Sequence, residues 1–163
     1  MYAATRVQTL STAALYEELA VQARSLLEGE RDAVANAANV AALIFHSVAQ
    51  LNWAGFYWLR GNELVLGPFQ GQPACVRIAL GKGVCGTAAA QLRSIVVPDV
   101  HAFPGHIACD SASRSEVVVP VMRGNAMLGV LDLDSPHPAR FTEEDARGLE
   151  ALARIFVEAT DLA

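Results

Sequence analysis

Residues 52–66 read NWAGFYWLRGNELVL, and this stretch sets the fold class. Aromatic and apolar side chains dominate Asn52–Arg60, which is typical of a strand. The pair Gly61-Asn62 follows as a hairpin turn signal, and Glu63–Leu66 is a short return strand. The stretch therefore predicts an antiparallel β-hairpin.

The segments on either side of this hairpin predict helices and further strands. Apolar residues at helical spacing precede it, and short apolar runs with a second hairpin turn at 123–125 follow it. The predicted helices are Thr12–Leu27, Arg31–Gln50, Val84–Leu92 and Thr142–Thr160. The predicted later strands are Cys75–Leu80, Ile95–Val97, Glu116–Met122 and Met127–Asp134, and the predicted loops are Pro68–Pro73 and Asp99–Arg114. Because hairpins dominate the strand connections, the predicted fold class is α+β, an antiparallel sheet with helices packed on it.

The composition favours a single folded domain and excludes several function classes. With 53% hydrophobic and 18% charged residues the chain can bury a core, and its net charge of -5 argues against a nucleic-acid-binding surface. The longest apolar run, Val40–Val48, is too short for a membrane span, and Met1–Leu15 lacks the apolar segment of a signal peptide. We therefore predict one soluble, cytoplasmic domain over residues 1–163.

Three acidic side chains lie at the ends of predicted strands. Asp132 and Asp134 share one face of a strand whose two faces are both apolar, and Glu116 begins the neighbouring strand. Burying carboxylates without partners is costly, so a buried group of this kind usually has a function. The alternative is that all three point to water, and the pattern leaves both possibilities open.

Aromatic side chains form a second candidate feature. Trp53, Gly55 and Tyr57 lie on one face of their strand, and the glycine between two large rings could leave room for a ligand. These rings could equally be ordinary core residues. An aromatic wall opposite two or three acids would suit a small cationic or zwitterionic ligand.

The segment GKGVCG at 81–86 matches the G-x-G-x-x-G pattern of dinucleotide-binding folds. It lies in mid-chain among hairpins, whereas that fold needs it at the first turn of repeated βαβ units. We therefore interpret the glycines as allowing a tight turn into a helix. Cys85 then falls in the first helical turn, where the helix dipole could lower the pKa of its thiol.

The cysteines are few, odd in number and without a CxxC pair, so a disulfide scaffold is not expected. Each is either a buried small hydrophobe or a reactive thiol. His106 and Cys109 are spaced for metal binding, with His101 or Asp110 as a third ligand. The same loop could instead present Cys109 as a nucleophile, and the spacing does not decide between the two.

Five sequence motifs occur in a fixed order that is specific enough to indicate a family. They are NWAGFYW, the C-x9-C spacing that ends in GKGVCGTA, PDVHAFPGHIACD, SRSEVVVPV and LGVLDLDS. Together they resemble the free methionine-(R)-sulfoxide reductases, a GAF-domain enzyme family, and the resemblance covers essentially the whole chain. It implies a GAF-like six-stranded antiparallel sheet flanked by helices, with a pocket closed by the long loop.

The resemblance also implies roles for individual residues. Cys109 corresponds to the thiol that attacks the sulfoxide, Cys75 to the resolving cysteine, and Cys85 to an auxiliary one. The positions that bind substrate in the family correspond to Trp53, Tyr57, Glu116, Asp132 and Asp134. Further implications are a cycle through a Cys109 sulfenic acid and a Cys75–Cys109 disulfide, thioredoxin (or dithiothreitol in vitro) as the reductant, no bound cofactor or metal, and a homodimer.

The residues suit that chemistry. Carboxylates can bind the ammonium group of free methionine sulfoxide, Trp53 can cover the methyl group, and an acid with a raised pKa can protonate the departing oxygen. Which of the three acids carries the proton is not predicted. The alternative function is a non-enzymatic GAF-type sensor of a small ligand or of redox state, although the chain has no length for an output domain beside it.

Overall fold

The computed structural model describes residues 11–162; the prediction that no signal peptide is present falls largely on residues outside this range. The helices are α1 (Thr12–Leu26), α2 (Ala33–Ser47), α3 (Gly83–Gln91) and α4 (Glu143–Ala159). The strands are β1 (Trp53–Arg60), β2 (Glu63–Gly71), β3 (Arg77–Ala79), β4 (Ile95–Val97), β5 (Ser115–Arg123) and β6 (Ala126–Ser135), with a 3-10 turn at Val100–Ala102. No helix among residues 11–162 is long and apolar enough to cross a bilayer.

The six strands form one sheet in the order β3-β2-β1-β6-β5-β4, and all neighbouring strands are antiparallel. Both predicted hairpins are present: β1 and β2 flank the 61–62 turn, and β5 and β6 flank the 124–125 turn. The predicted α+β class with a six-stranded antiparallel sheet is therefore confirmed.

The sheet separates two apolar clusters, because side chains alternate between its faces. On one face Ala54 and Phe56 pack with the layer of α1, α2 and α4, which also covers Leu131 and Leu133. On the other face Trp53 and Tyr57 pack with residues of α3 and of the segment after β4. This second, more thinly covered face carries the candidate site.

Two predicted boundaries around β2 and β3 are wrong. The strand β2 continues through the predicted loop at 68–73 as far as Gly71, because Phe69 and Gly71 pair with β1 opposite Gly55 and Trp53. The strand β3 is short, since only Arg77–Ala79 pairs with β2. Cys75 consequently lies in the connecting segment 72–76 rather than in a strand.

The helices begin where a side chain can satisfy their free backbone N–H groups. Ser11 accepts a hydrogen bond from the N–H of Ala14 at 3.2 Å, and Asp32 accepts one from Ala35 at 2.8 Å. The Asp32 cap explains why α2 begins at residue 33 rather than at the predicted Arg31. The helix α4 opens with a capping box formed by Thr142 and Asp145.

The helices α1 and α4 pack closely at one glycine. A Cβ atom on Gly148 would lie 2.1 Å from Cγ of Tyr16, whose ring is 4% exposed. The ring is also fixed at its far end, because its hydroxyl donates a hydrogen bond of 3.0 Å to Oδ1 of Asp145. Gly148 therefore sets the distance between the two helices.

We expect Gly148→Ala to lower the free energy of unfolding by about 1–3 kcal/mol, because the added methyl group overlaps a ring that cannot move aside. This loss outweighs the higher helix propensity of alanine, about 1 kcal/mol. Urea unfolding measures it, with Arg147→Ala on the exposed side of α4 as the control. A Gly148→Ala protein as stable as the parent would contradict this account of the helix pair.

Candidate active site

A small, partly open cavity lies between the sheet, α3 and the segment that follows β4. Its volume is about 30 Å³, enough for one or two water molecules but not for an amino acid. Seven of the eight predicted site residues line it: Trp53, Tyr57, Cys85, Cys109, Glu116, Asp132 and Asp134. The structure thus brings together residues that are distant in sequence.

The eighth, Cys75, does not line the cavity but is covalently bonded to Cys109, which does. Cys75 and Cys109 form a disulfide with a Cα–Cα distance of 5.4 Å and a sequence separation of 34 residues. Both residues are half-buried. The bond connects segment 72–76 to the long loop at 98–114.

The two aromatic residues hold the segment that carries Cys75. The hydroxyl of Tyr57 donates a hydrogen bond to the carbonyl oxygen of Cys75 at 3.0 Å, and Nε1 of Trp53 donates one to Gln72 at 3.2 Å. Burial raises the pKa of Tyr57 far above its usual range, so the hydroxyl remains a donor. These rings therefore fix the position of the backbone beside the disulfide.

The expectation that Gly55 leaves room for a ligand is wrong. A Cβ atom there would lie 2.3 Å from Cβ of Phe69. The ring of Phe69 also stacks on Trp53 with a centroid distance of 5.2 Å. The glycine therefore makes room for a neighbouring strand rather than for a ligand.

Strand register brings the three acids onto one face. Glu116 pairs with Asp134 across β5 and β6, and Asp132 pairs with Gly55 of β1. Glu116 and Asp132 are buried, with 6% and 5% exposure, and Asp134 is half-buried. These acids do not point to water, which removes that alternative for Glu116 and Asp132.

Burial and mutual repulsion raise the pKa values of this acid cluster. Burial raises the pKa of Asp132 to about 6. Burial together with the charge of Asp132 raises the pKa values of Glu116 and Asp134 well above their usual range. These shifts favour the retention of a proton within the cluster.

A histidine lies beside this cluster. Nε2 of His106 is 3.8 Å from Oε2 of Glu116, and burial lowers the pKa of the imidazole, with a further contribution from His101. The neutral imidazole therefore makes a polar contact with Glu116, but it carries no positive charge that would stabilise the carboxylates.

The predicted lowering of the Cys85 pKa is wrong. Cys85 is buried at 4% exposure in the first turn of α3, and its Sγ lies 3.8 Å from Oε1 of Glu116. Burial, followed by the charges of Asp132 and Glu116, raises the pKa of the thiol well above its usual value. Desolvation and two nearby carboxylates outweigh the partial positive charge of a short helix.

The glycines on either side of Cys85 have the structural role expected of them. Gly83 adopts a positive φ of +60°, and a Cβ on Gly86 would lie 2.3 Å from the carbonyl oxygen of Ala79. They let the chain turn tightly between β3 and α3.

The zinc site considered for the loop is not formed. The sulfur of Cys109 is bonded to Cys75, so it is not available as a metal ligand in this state. His106 and Asp110 line the cavity, whereas His101 is exposed and does not.

One contact at the site was not predicted from the sequence. Nδ2 of Asn52 donates hydrogen bonds to Oδ2 of Asp110 at 2.9 Å and to Oγ of Ser113 at 3.1 Å. Asn52 thereby fastens the loop segment next to Cys109. The partners lie about 60 residues apart with no shared local pattern, and only the position of Asn52 just before Trp53 could have indicated this role.

Comparison with known proteins gives the family. The GAF domain family matches residues 34–161. The free methionine-R-sulfoxide reductase of Escherichia coli is 50% identical over 137 residues, which cover 84% of this chain and 83% of that protein. A structure of a candidate GAF sensor protein from Burkholderia vietnamiensis is 63% identical and has a TM-score of 0.89, with 93% of this chain and 96% of that chain covered.

A structure of free methionine-R-sulfoxide reductase from Neisseria meningitidis in complex with its substrate is also similar. It has a TM-score of 0.92 at 46% identity and covers 98% of this chain and 95% of its own. With this identity over nearly the full length, the chain belongs to the GAF-domain family of free methionine-R-sulfoxide reductases.

Proposed function

We propose that this protein reduces free L-methionine (R)-sulfoxide to L-methionine by thiol chemistry. The observation that carries the proposal is the Cys75–Cys109 disulfide at a cavity lined by buried acids. A disulfide between these two residues is the oxidised product that such a reaction leaves behind. The reductases of Escherichia coli and Neisseria meningitidis support the same reaction and substrate.

Substrate recognition is assigned to the acids and to Trp53. Oδ1 of Asp132 is buried and has no hydrogen-bond partner among the described residues, so it can accept from the substrate's ammonium group. Asp134 lies two residues along the same face and adds negative charge there. The indole of Trp53 lines the same cavity and can pack against the methyl group.

The cavity must widen before substrate enters, because 30 Å³ is too small for an amino acid. The disulfide holds the loop at 98–114 against segment 72–76. Reduction of this bond releases the loop, and we expect the substrate to bind the reduced protein.

The reaction needs a proton as well as a nucleophile. The Cys109 thiolate attacks the sulfoxide sulfur, the oxygen is transferred to Cys109 as a sulfenic acid, and methionine leaves. Glu116 is our choice for the proton donor to this oxygen. Burial and the neighbouring charge of Asp132 raise the pKa of Glu116 well above its usual range, which favours a carboxyl group that still carries its proton.

Recycling uses the second cysteine. The Cys75 thiol displaces water from the Cys109 sulfenic acid and forms the disulfide, and an external dithiol then reduces this bond by exchange. The reaction therefore consumes two thiols per sulfoxide and releases one water, without a bound cofactor. We propose thioredoxin as the reductant in the cell, with dithiothreitol able to replace it in vitro.

A reducing compartment and a dimer complete the proposal. Steady turnover requires continuous reduction of the disulfide, which favours the cytoplasm. We also propose a homodimer, for which Val21 on α1 offers an exposed apolar contact, at 61% exposure.

A non-enzymatic sensor is the second candidate, and the Burkholderia vietnamiensis structure supports keeping it in view. A sensor would bind a ligand in the cavity and return it unchanged. Substrate turnover therefore separates the two functions.

We expect purified protein with dithiothreitol to convert only the R epimer of racemic free methionine sulfoxide into methionine. Chiral chromatography measures both epimers and the product. Loss of neither epimer, with the thiols verified as reduced, would overturn the enzyme proposal in favour of the sensor.

The two cysteines predict different defects. Cys109→Ser should form no methionine in a single turnover of the pre-reduced protein, because the nucleophile is absent. Cys75→Ser should form one equivalent and then stop when thioredoxin is the reductant. Normal thioredoxin-driven turnover of Cys75→Ser would contradict its assignment as the resolving cysteine.

Glu116→Gln should slow methionine formation in a single turnover by about 10²- to 10⁴-fold, the usual contribution of a general acid. The rate of the parent should fall as the pH rises through the raised pKa of this acid, and the variant should lose this alkaline decrease. Asp134→Asn is the matched control and should retain it. The opposite pattern would make Asp134 the proton donor.

Asp132→Asn should stabilise the oxidised protein at alkaline pH while weakening substrate binding. Folding raises the pKa of Asp132 from 3.8 to about 6, so the folded protein binds this proton more tightly than the unfolded chain. The stability that the group contributes is therefore full below its unfolded pKa and is lost as the pH rises through its folded pKa.

The gain of Asp132→Asn in the free energy of unfolding should be of the order of 3 kcal/mol at about pH 8 and should disappear near pH 3, below the unfolded pKa. Urea unfolding at the two pH values tests this, with exposed Glu28→Gln as the control. A variant less stable than the parent at the higher pH would show that the buried carboxylate is not a destabilising group.

A further inference from the structure

Three buried side chains of different chemistry converge at the inner end of the cavity. Cys85 on α3, Glu116 on β5 and Asp132 on β6 each place one ligand atom within 4.8 Å of the other two. All three are at most 6% exposed. We call them the Cys85 cluster. The reaction proposed above uses Cys109 as the nucleophile that takes the oxygen and Cys75 as the thiol that forms the disulfide, so it leaves the Cys85 thiol without a defined step.

The spacing in this cluster is close to that around a shared metal ion. Zinc binds sulfur at about 2.3 Å and carboxylate oxygen at about 2.1 Å, so a tetrahedral angle places the two ligand atoms about 3.6 Å apart. Sγ of Cys85 lies 3.8 Å from Oε1 of Glu116. This pair of ligand atoms is therefore close to the separation that a shared ion requires, and the ligand atom of Asp132 lies within 4.8 Å of both.

An independent observation points to a cation at this place. Oδ1 of Asp132 has no hydrogen-bond partner within residues 11–162, although it is fully buried and its residue lines the cavity. The Asp132 side chain hydrogen-bonds to Cys85 and Glu116 within the cluster, and this one oxygen is left to accept from a further donor or to bind a positive ion. The cavity of about 30 Å³ beside it accommodates an ion with a water ligand.

The donor set selects the kind of ion. One thiolate with two carboxylates suits zinc and cobalt, whereas magnesium and calcium take oxygen ligands only. His106 adds an imidazole at the edge of the cluster, with Nε2 3.8 Å from Oε2 of Glu116. Three protein ligands and one position left for water or histidine correspond to an open zinc site.

We propose that the Cys85 cluster binds a thiophilic divalent cation of the zinc class, with Cys85, Glu116 and Asp132 as ligands. The Cys85 thiol and the Glu116 carboxyl group each release a proton to solvent when the ion binds. The ion occupies the acids that hold the substrate, so it competes with free methionine sulfoxide. This last consequence rests on the proposed function, whereas ion binding does not.

Cobalt titration of the oxidised protein tests the site directly. The chain has three cysteines, and two are closed in the Cys75–Cys109 disulfide, so Cys85 is the one thiol that can bind the ion. Adding Co²⁺ to metal-free oxidised protein should produce a sulfur-to-cobalt charge-transfer absorption that saturates at one equivalent. Added Zn²⁺ should abolish it. Absence of this absorption would overturn the proposal.

Ligand variants then test the geometry. Cys85→Ser should remove the charge-transfer absorption, and Asp132→Asn should weaken Co²⁺ affinity by about 10-fold or more. The exposed acid variant Glu28→Gln should bind Co²⁺ as the parent does. A charge-transfer absorption that persists in Cys85→Ser, or an unchanged affinity in Asp132→Asn, would overturn the assignment of that residue and with it the site.

Competition separates this proposal from the proposed function. The variant Cys75→Ser/Cys109→Ser retains Cys85 as its single thiol and has no disulfide to close the cavity. Free methionine sulfoxide should displace Co²⁺ from it. Cobalt binding that the sulfoxide does not reverse would contradict the shared site and would count against the substrate pocket, while leaving the cation site supported by its absorption.

Discussion

Strand β6 runs antiparallel between β1 and β5, and its register decides on which side of the sheet its carboxylates lie. Asp132 and Asp134 alternate with Leu131 and Leu133, which pack under the helical layer. A slip of one residue would exchange the two sets and place both acids in the apolar core. The pairing of Glu116 with Asp134 then adds the third acid on the same side. The cavity, its proton and its affinity for cations all follow from this register.

Such a cluster works against folding, and the arrangement of the sheet explains how the chain tolerates it. Buried carboxylates lose hydration that neighbouring acids do not replace, so their pKa values rise and protons remain bound. The opposite face of the same strands carries the larger apolar cluster, in which Phe56 and Phe156 are completely buried. Because the apolar core and the acids lie on opposite faces, one sheet supplies both stability and a buried acidic site. The raised pKa values are thus a product of the same burial that makes the acids useful.

Much of this arrangement could be predicted from the sequence, and the failures have physical causes. The alternation of polar and apolar residues located both hairpins and placed Asp132 with Asp134 on one face, because these are local properties of a strand. The extent of β2 was underestimated because Pro68 and Gly71 are typical loop residues, while the pairing with β1 that keeps them in the strand is a tertiary contact. The Cys85 pKa was predicted in the wrong direction for a similar reason.

The thiol's position in a first helical turn is visible in the sequence, but the carboxylates that face it come from β5 and β6. The space at Gly55 could not be assessed either, since it depends on Phe69 of the neighbouring strand. Local pattern therefore predicted which residues are available for chemistry. It did not predict the electrostatic environment that assembly creates around them.

The beginning of β1 connects this environment to the two cysteines. Trp53 and Tyr57 donate hydrogen bonds to the backbone carbonyl oxygens of residues 72 and 75, which fixes the segment that carries Cys75. Asn52 donates hydrogen bonds to two side chains of the loop just after Cys109. None of these contacts uses the disulfide sulfur atoms, so they can persist when the bond is reduced. The two thiols then remain close to the start of one strand, while the rest of the loop at 98–114 is free to admit a ligand. A resolving cysteine must reach the sulfenic acid quickly after each turnover. Because both segments are held near the same strand, the two sulfur atoms stay close together and the disulfide can form rapidly.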